Sequence, residues 1–260
     1  MRNVPCNICG EKHEFDEIYS DRPQNLRVVR CRGCGLVFVN PSLTPREHLE
    51  YYNTVYWNEF PVGQGGGYTE IPPDRIARWE KRAKANIDYL ATFCEPIKSA
   101  AKLQIMEVGC GYAAHLEEVH RRCPNAKLTA VEPNARLYNL IRKRLPEVQI
   151  LGKTLETLSG VRMLFDCIIA VDLIERTVDP TYTCKRMHTM LARDGVALIV
   201  THNMAGRQGH VYDLSHLYYF TEGTLHALLS RCHLDIVRLD VRGEHGLAGD
   251  DRICAIVKKK

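Results

Sequence analysis

The sequence lacks the features that assign a protein to a membrane, to a nucleic acid or to the secreted disulfide proteins. It has no apolar run of eighteen residues, and Arg2, Asn3 and Pro5 near its start do not fit a signal peptide. The 35 basic residues barely outnumber the 31 acidic ones, so charge predicts no membrane or nucleic-acid partner. Cysteine is abundant, with an odd count of 11, which favours a reducing compartment in which some thiols bind metal. A cytoplasmic protein is therefore expected.

The most informative stretch is LQIMEVGCGY, residues 103–112, which is followed by AAHLEEVHRR. An apolar run ends in an acid and two glycines, and a helical pattern with apolar Ala114, Leu116 and Val119 begins directly after them. Gly109 and Gly111 allow a sharp turn and a close approach to a ligand, while the helix start offers unpaired N–H groups. The pattern predicts strand, turn and helix, with a small polar ligand bound at the turn.

Two ligands fit this turn. Gly109, Gly111 and Ala114 match the dinucleotide pattern G-x-G-x-x-A, and Glu132 lies about twenty residues further on, where a ribose-binding acid belongs. With Glu107 included, the motif is E-x-G-x-G, and it resembles the first motif of class I S-adenosylmethionine methyltransferases. An acid at that place would attract the cationic amino group of a methionine moiety and repel a pyrophosphate. Glu107 therefore favours adenosylmethionine over a dinucleotide.

Strands and helices are predicted to alternate from Leu103 onward, which is typical of a doubly wound α/β sheet. We expect a seven-stranded, mostly parallel, Rossmann-like sheet with a small N-terminal zinc ribbon. The predicted domains are a zinc-ribbon head at 1–45, a helical or loop lid and linker at 46–100, and the methyltransferase domain at 101–260. Within the middle segment, the aromatic and glycine-rich residues 51–74 can be a lid over the site or a linker that packs on the larger domain.

A second resemblance lies in FDCIIAVDLIERTVDP, residues 165–180, and in HLYYFTEGTLHALL, residues 216–229. Both are similar to the ubiquinone-type branch of class I methyltransferases, whose corresponding patterns are F-D-x-I, L-E-H-V-x-D-P and H-L-x-x-F-T-x-x-T-L-x-x-L-L. Asp179 with Pro180 and Thr221 are predicted to begin helices. Arg176 stands where that branch usually has histidine, so a catalytic role of that histidine does not carry over to this chain.

The resemblance implies the cofactor and the residues that bind it. Glu107, Gly109 and Gly111 would hold the methionine end of adenosylmethionine. Glu132, at the end of a predicted strand, can accept hydrogen bonds from both ribose hydroxyls with its two oxygens, although it could also be a capping or surface acid. The full predicted cofactor set is Glu107, Gly109, Cys110, Gly111, Tyr112, Glu132, Pro133, Thr154, Leu155, Val171, Asp172 and Glu175, with the last two bordering the methyl group.

Four cysteines form two C-x2-C pairs, Cys6 with Cys9 and Cys31 with Cys34, and a glycine follows each pair. Two cysteines on one tight turn direct both sulfurs at one ion, and four protein ligands leave no open position. The spacing predicts structural Zn²⁺; the alternative is four thiols without metal. The surrounding R-C-x-x-C-G-L-V-F-V-N-P resembles a zinc-bearing head on a subset of these methyltransferases.

The predicted reaction is methyl transfer from adenosylmethionine to an oxygen, nitrogen or carbon nucleophile of a small molecule, such as a secondary metabolite or a sugar. Histidine titrates near neutral pH, so the candidate bases are His216, His202 and His210, each of which could instead be structural. One alternative is an RNA methyltransferase whose ribbon arginines grip nucleic acid, and another is a non-catalytic cofactor-binding partner protein. No membrane or nucleic-acid partner is expected, and a homodimer is allowed.

Overall fold

The computed structural model describes residues 1–57, 71–94, 102–158, 163–205, 212–243 and 251–260. Its strands are β1 Phe15–Asp21, β2 Leu26–Cys31, β3 Val37–Val39, β4 Gln104–Val108, β5 Lys127–Val131, β6 Gln149–Leu151, β7 Phe165–Val171, β8 Leu191–His202, β9 Tyr218–Tyr219, β10 Leu234–Gly243 and β11 Asp251–Lys259. Its helices are α1 Pro45–Tyr51, α2 Pro73–Ala91, α3 Ala114–Arg122, α4 Tyr138–Arg144, α5 Pro180–Met190 and α6 Glu222–Arg231, with a π-helical turn at Tyr52–Tyr56 and a 3-10 turn at Ala135–Leu137. Among these described helices, none is both long and apolar enough to cross a membrane.

The large sheet has seven strands within the described residues, in the order β10-β11-β8-β7-β4-β5-β6. Strands β6, β5, β4, β7 and β8 are mutually parallel, whereas β11 runs antiparallel to β8 and β10 antiparallel to β11. The predicted α/β fold with a seven-stranded, mostly parallel sheet is confirmed. Strand β4 lies between β5 and β7, so the chain winds outward in both directions from it. Ligands bind at such a switch point, beyond the carboxyl ends of the strands.

The sheet is buried on both faces because its side chains alternate between two hydrophobic clusters. Met106, Ile168 and Ile199 lie in one cluster, and their neighbours Ile105 and Ile169 lie in the other. The first cluster includes apolar residues of α5 and α6, and the second those of α2, α3 and α4. Helices on both faces explain why β7 is a nearly continuous apolar run and not an alternating one.

A second, four-stranded sheet has the order β1-β2-β3-β9. Its last strand belongs to the C-terminal half of the chain: Val37 pairs with Tyr219 and Phe38 with Tyr218, whose ring stacks on Phe38 at 6.2 Å. Asn7 adds a contact with the start of α5, where its Oδ1 accepts from the backbone N–H of Thr181 at 2.8 Å. The N-terminal head therefore packs directly onto the large sheet's domain. Its boundary at residue 45 stays a prediction.

Local signals account for where several helices begin. Thr44 and Glu47 form a reciprocal capping box at α1, and the side chains of Asp179 and Thr221 cap α5 and α6. Helix α2 starts at Pro73, so Asp74 lies in its first turn, where a negative charge is favourable, and not at the cap. The capping residues are satisfied by neighbours in sequence, which is why they could be predicted.

Candidate active site

The glycine turn forms the floor of a cleft at the carboxyl ends of β4, β5 and β7. Gly109 has φ +67°, and a Cβ there would meet Leu173 Cδ1 at 2.9 Å. Gly111 has φ +50°, and its α-carbon faces the Trp57 ring. Residues with a side chain rarely adopt this backbone conformation, so both positions favour glycine. The absence of a side chain also lets a bound molecule approach the backbone closely.

Glu132 follows β5 and is completely buried. Its carboxylate accepts hydrogen bonds from the backbone N–H of Gly111 at 2.9 Å and of Asn134 at 2.8 Å. The Tyr52 hydroxyl lies 3.2 Å from both carboxylate oxygens. Burial raises the pKa of Glu132 to about 7 despite these donors. Each additional O–H donor stabilises the ionised form of a buried carboxylate, because little water reaches it.

Glu107 is held by α3. Its Oε1 lies 2.8 Å from His115 Nδ1, and its Oε2 accepts from the Leu116 N–H at 3.3 Å. The other ring nitrogen of His115 lies 3.1 Å from the Asn86 side-chain amide on α2. The His115 tautomer with its proton on Nδ1 satisfies both neighbours, because Nδ1 then donates to the Glu107 carboxylate and Nε2 accepts from the Asn86 amide. The predicted acid therefore faces the cleft in a set orientation, through two residues that sequence analysis missed.

An aromatic segment that follows the N-terminal head forms one wall of the cleft. His48, Tyr52 and Tyr56 are spaced four residues apart on α1 and the π-helical turn, and all three line the cleft. The Tyr52 and Tyr56 rings stack at 5.3 Å, and Trp57 meets both edge-on. The four-residue spacing of these side chains is a sequence signal for one helical face that sequence analysis did not use. Residues 58–70 of the predicted lid lie outside the described part of the chain.

Asp172, at the end of β7, is a fixed anion. It has φ +51° and binds two arginines, Arg82 Nη1 at 2.8 Å and Arg252 Nη1 at 2.7 Å. Burial alone would raise the pKa of Asp172, but Arg82 and Arg252 together hold it well below its usual range. A carboxylate paired in this way takes up a proton only with difficulty, so Asp172 is suited to placing charge and not to acting as a base.

The predicted bases His202 and His216 lie together, next to Glu175 and away from the cleft lining. The ligand atoms of these three residues lie within 4.8 Å of one another, a spacing that could hold a metal ion. Burial and then Arg252 lower the pKa of His202 to about 2, and burial and then Arg176 lower that of His216.

His216 has a defined orientation. Its Nδ1 lies 3.3 Å from Asp213 Oδ1 and 3.0 Å from Ser215 Oγ, while Nε2 is buried with no hydrogen-bond partner among the described residues. Glu175 accepts from the Thr201 hydroxyl at 2.9 Å, and burial, with Asp172 next, raises its pKa to about 7. The third predicted base, His210, lies outside the described residues.

Most of the predicted cofactor residues line this one cleft. They are Glu107, Gly109, Cys110, Gly111, Tyr112, Pro133, Thr154, Leu155, Val171 and Asp172. Glu132 lies beneath Tyr52, and Glu175 is buried in the histidine cluster. The cleft residues that sequence analysis did not predict as part of a site include His48, Tyr52, Tyr56, Trp57, Trp79, Arg82, His115 and Arg176.

The four predicted zinc ligands come together in the head. Cys6 Sγ lies 3.4 Å from Cys34 Sγ, and Cys9 Sγ lies 3.4 Å from Cys31 Sγ. All four sulfurs are within 4.8 Å of one another. Burial raises the pKa of the Cys34 thiol to about 11, so a cation that binds its thiolate would offset the cost of burying that charge. The donor set fits a closed tetrahedral zinc site.

A sheet with this strand order, a glycine turn after its first strand and a buried acid after its second defines the class I S-adenosylmethionine-dependent methyltransferases. The chain belongs to the family described as "Methyltransferase domain", whose sequence profile matches residues 78–239, more than half of its length. The protein is therefore an enzyme, an adenosylmethionine-dependent methyltransferase. A search of curated proteins finds no match.

Several solved structures share the fold. A 1,6-didemethyltoxoflavin-N1-methyltransferase from Burkholderia thailandensis is 17% identical, with a TM-score of 0.63 over 94% of this chain and 99% of that one. Magnesium protoporphyrin IX methyltransferase from Synechocystis PCC 6803 is 12% identical, with a TM-score of 0.59 over 85% and 100%. The N-methyltransferase NodS from Bradyrhizobium japonicum is 17% identical, with a TM-score of 0.55 over 78% and 96%. Identities this low establish a common fold and not a common substrate.

Proposed function

We propose that this enzyme methylates an oxygen, nitrogen or carbon nucleophile of a small molecule, and that it belongs to the ubiquinone-type branch of its class. The observation that carries the proposal is the buried Glu132 carboxylate, hydrogen-bonded to the backbone of the glycine turn at Gly111. With the acid and the glycine turn side by side, one ligand can donate two hydroxyl groups to the carboxylate and also contact the backbone of the turn. A cytoplasmic location and a homodimer stay predictions.

The cofactor supplies an electrophilic sulfonium methyl group, and the chain's own residues would bind and orient it. Glu107 would attract the amino group of the methionine end, Glu132 would accept from the ribose hydroxyls, and Thr154 with Leu155 would flank the adenine. The Tyr52 hydroxyl now occupies donor positions on Glu132 that a ribose would take. Tyr52 therefore has to give up part of this contact when cofactor binds.

Catalysis would come from alignment, exclusion of water and removal of a proton. The aromatic wall of His48, Tyr52 and Tyr56 would shield the reacting atoms from solvent. Among the predicted bases, His216 is oriented by Asp213, but it lies outside the cleft lining, and its buried Nε2 would have to reach the acceptor to remove a proton. His48 is a further candidate because it lines the cleft itself, and burial, with Arg176 next, lowers its pKa to about 4.

The nature of the acceptor is supported by two observations. Two of the structures that share the fold are named for small acceptors, a didemethyltoxoflavin and magnesium protoporphyrin IX. For the RNA alternative, the head would need free arginines, but Arg27 pairs with Glu17 at 2.7 Å and Arg32 with Asp16 at 2.7 Å. These observations favour a small molecule over RNA. The non-catalytic alternative has no specific support.

The four cysteines of the head are proposed to hold one structural Zn²⁺. Burial raises the pKa of Cys6 well above its usual range, and the turn N–H groups of Cys9 and Ile8 offset only part of this rise, so a bound cation would supply the remaining stabilisation of the thiolate. A site with four protein ligands leaves no position for a substrate, so no step of methyl transfer is assigned to it.

The proposal is tested by calorimetric titration of the metal-analysed protein with adenosylhomocysteine, and with NAD in parallel. Saturable binding of adenosylhomocysteine alone is expected. Binding of NAD alone would assign the cleft to a dinucleotide, and binding of neither would leave the protein without a cofactor site at Glu132. Transfer of a labelled methyl group to a small acceptor, followed by mass spectrometry, then identifies the attacked atom.

Affinity for adenosylhomocysteine is expected to rise with pH between 5.5 and 7. The pKa of Glu132 is about 7 in the free protein, and ribose hydroxyls that donate to the carboxylate favour its ionised form. Binding therefore releases a proton below pH 7, and affinity should change by up to about tenfold per pH unit there and level off above it. Titrations at several pH values, in buffers with different ionisation enthalpies, measure both effects.

The control for this pH dependence is Glu132→Gln, which cannot ionise. Its affinity should be lower and should not vary over the same range. Other titratable groups that interact with Glu132 are Tyr52, Glu107, Cys110 and Tyr138, and all four remain in the control. A wild-type affinity that is flat from pH 5.5 to 7.5 would contradict the assignment of Glu132 to the ribose.

A further inference from the structure

We propose that the methyl acceptor carries a carboxylate and that Arg176 binds it. The proposal rests on the proposed function, because it concerns the acceptor end of the same cleft. Arg176 follows β7, four residues after Asp172, and it lines the cleft together with Asp172 and Leu173. It is therefore placed near the end of the cleft where the transferable methyl group is expected.

The Arg176 guanidinium is held in place by neutral groups. Its Nε donates to the backbone carbonyl of Asp172 at 3.1 Å, and its Nη1 donates to that of Ser215 at 3.0 Å. Its Cζ lies 4.8 Å from the centre of the Tyr56 ring. A guanidinium has five N–H groups, so three remain after these two bonds. A fixed fork with spare donors matches the planar, two-oxygen geometry of a carboxylate.

Arg176 differs from the other two arginines of this region in its charge partner. Arg82 and Arg252 each bind one oxygen of Asp172. Arg176 has no carboxylate oxygen within 4 Å among the described residues. Burial opposes its charge, but Tyr56, Glu175 and Asp172 act on it from a longer distance and raise the pKa of Arg176 above its usual range. The guanidinium therefore stays charged and has no direct ionic partner, and its spare N–H groups can bind the carboxylate of a ligand.

The charges close to Arg176 also favour an anionic acceptor. Three guanidinium groups, those of Arg82, Arg176 and Arg252, face three carboxylates, those of Asp172, Glu175 and Asp213. Burial keeps Glu175 partly protonated near neutral pH, and the sulfonium of bound adenosylmethionine adds another positive charge. Within this group around Arg176, the positive charges then outnumber the ionised carboxylates by at least one. A monoanionic acceptor balances it, whereas a cationic acceptor would increase the imbalance.

His48 completes the local chemistry as a neutral partner. It lines the cleft, and burial, with Arg176 next, lowers its pKa to about 4. A neutral imidazole beside an arginine adds a polar contact for the acceptor without adding charge. A single guanidinium beside a neutral imidazole carries one positive charge, which matches the single negative charge of a carboxylate. A phosphate monoester carries two negative charges and therefore serves as the comparison ligand.

The test uses the full-length protein saturated with adenosylhomocysteine and titrated with matched pairs of probes. The pairs are hydroxybenzoates with hydroxybenzamides, hydroxycinnamates with their amides, and indole carboxylates with indole carboxamides; 4-hydroxyphenyl phosphate is the dianion. We expect the acid of at least one pair to bind about tenfold more tightly than its amide. The preference should disappear in Arg176→Gln and persist in part in Arg176→Lys, which keeps the charge without the fork.

The matched control is Arg121→Gln, which removes an arginine on the exposed side of α3 and should leave the preference intact. Thermal unfolding and adenosylhomocysteine affinity are measured first for every variant, so a misfolded protein is recognised before any acid is tested. The proposal is overturned if no acid binds more tightly than its amide, if the preference survives in Arg176→Gln, or if the phosphate binds best. A wild-type protein that does not bind adenosylhomocysteine would instead overturn the proposed function.

Discussion

Replacement of Cys31 by serine is expected to release the metal and unfold the N-terminal head. Cys31 is buried, and its sulfur lies 3.4 Å from that of Cys9. The head is too small to build a separate core, so metal binding would contribute a large part of its folding free energy, on the order of 10 kcal/mol in isolated zinc modules. If only about 3 kcal/mol of this is lost, the melting temperature should fall by about 10 °C.

The consequence should reach the methyltransferase domain, because the two parts share a sheet. β3 pairs with β9, and the paired residue Tyr218 lies two positions after His216. Loss of the head would expose the Phe38 and Tyr218 rings, both fully or almost fully buried. We therefore expect methyl transfer to fall more than affinity for adenosylhomocysteine, whose proposed contacts lie at or just after the ends of β4, β5 and β6.

Zinc content by mass spectrometry, thermal unfolding and turnover check this prediction together. The control is Cys167→Ser, which changes a fully buried cysteine of β7 that is not part of the cluster. It should cost some stability and leave the metal content unchanged. If Cys31→Ser keeps one zinc per chain, or if the wild type purifies without metal and gains no stability from it, the four thiols have no structural ion.

Replacement of Glu132 by alanine is expected to weaken adenosylhomocysteine binding by about 1–3 kcal/mol, or about 5- to 150-fold. The variant removes the carboxylate that would accept both ribose hydroxyls. It also leaves the backbone N–H groups of Gly111 and Asn134 without their acceptor. The glycine turn should therefore lose part of its support as well, and some of the lost affinity will come from that change.

Glu132→Gln separates these two effects, because it keeps the volume and one acceptor oxygen for the turn. An affinity close to that of the alanine variant would mean that the charge dominates. The control Glu147→Ala removes an exposed acid between α4 and β6 and should have no effect on binding. Unchanged affinity in Glu132→Ala, measured by calorimetry, would mean that the ribose binds elsewhere in the cleft.

Much of the methyltransferase fold could be predicted because its signals are local. The apolar run before Gly109, the caps at Asp179 and Thr221, and the alternation of strands and helices depend on neighbours in the chain. The cleft residues from β4, β5 and β7 follow from the same logic, since parallel strands end at one edge of a sheet. The cysteine cluster could also be predicted, because two closely spaced C-x2-C pairs need only one reversal of the chain to bring their four sulfurs together.

The side-chain contacts between distant residues that shape the cleft could not be predicted from local sequence signals. Tyr52 meets Glu132 across 80 positions, and Asp172 is bound by Arg82 and Arg252, which lie 90 and 80 positions away. No periodicity or spacing links such residues, because their proximity depends on how helices pack on the finished sheet.

The sequence by itself therefore determined the class of fold, the glycine turn, the acid that follows β5 and the two cysteine pairs. Only the tertiary structure decided that an aromatic segment forms one wall of the cleft, that the sheet of the head includes β9, and that no carboxylate oxygen among the described residues lies within 4 Å of Arg176. The reason is physical: backbone conformation and capping are set by adjacent residues, whereas charge pairing and burial are set by packing between distant ones.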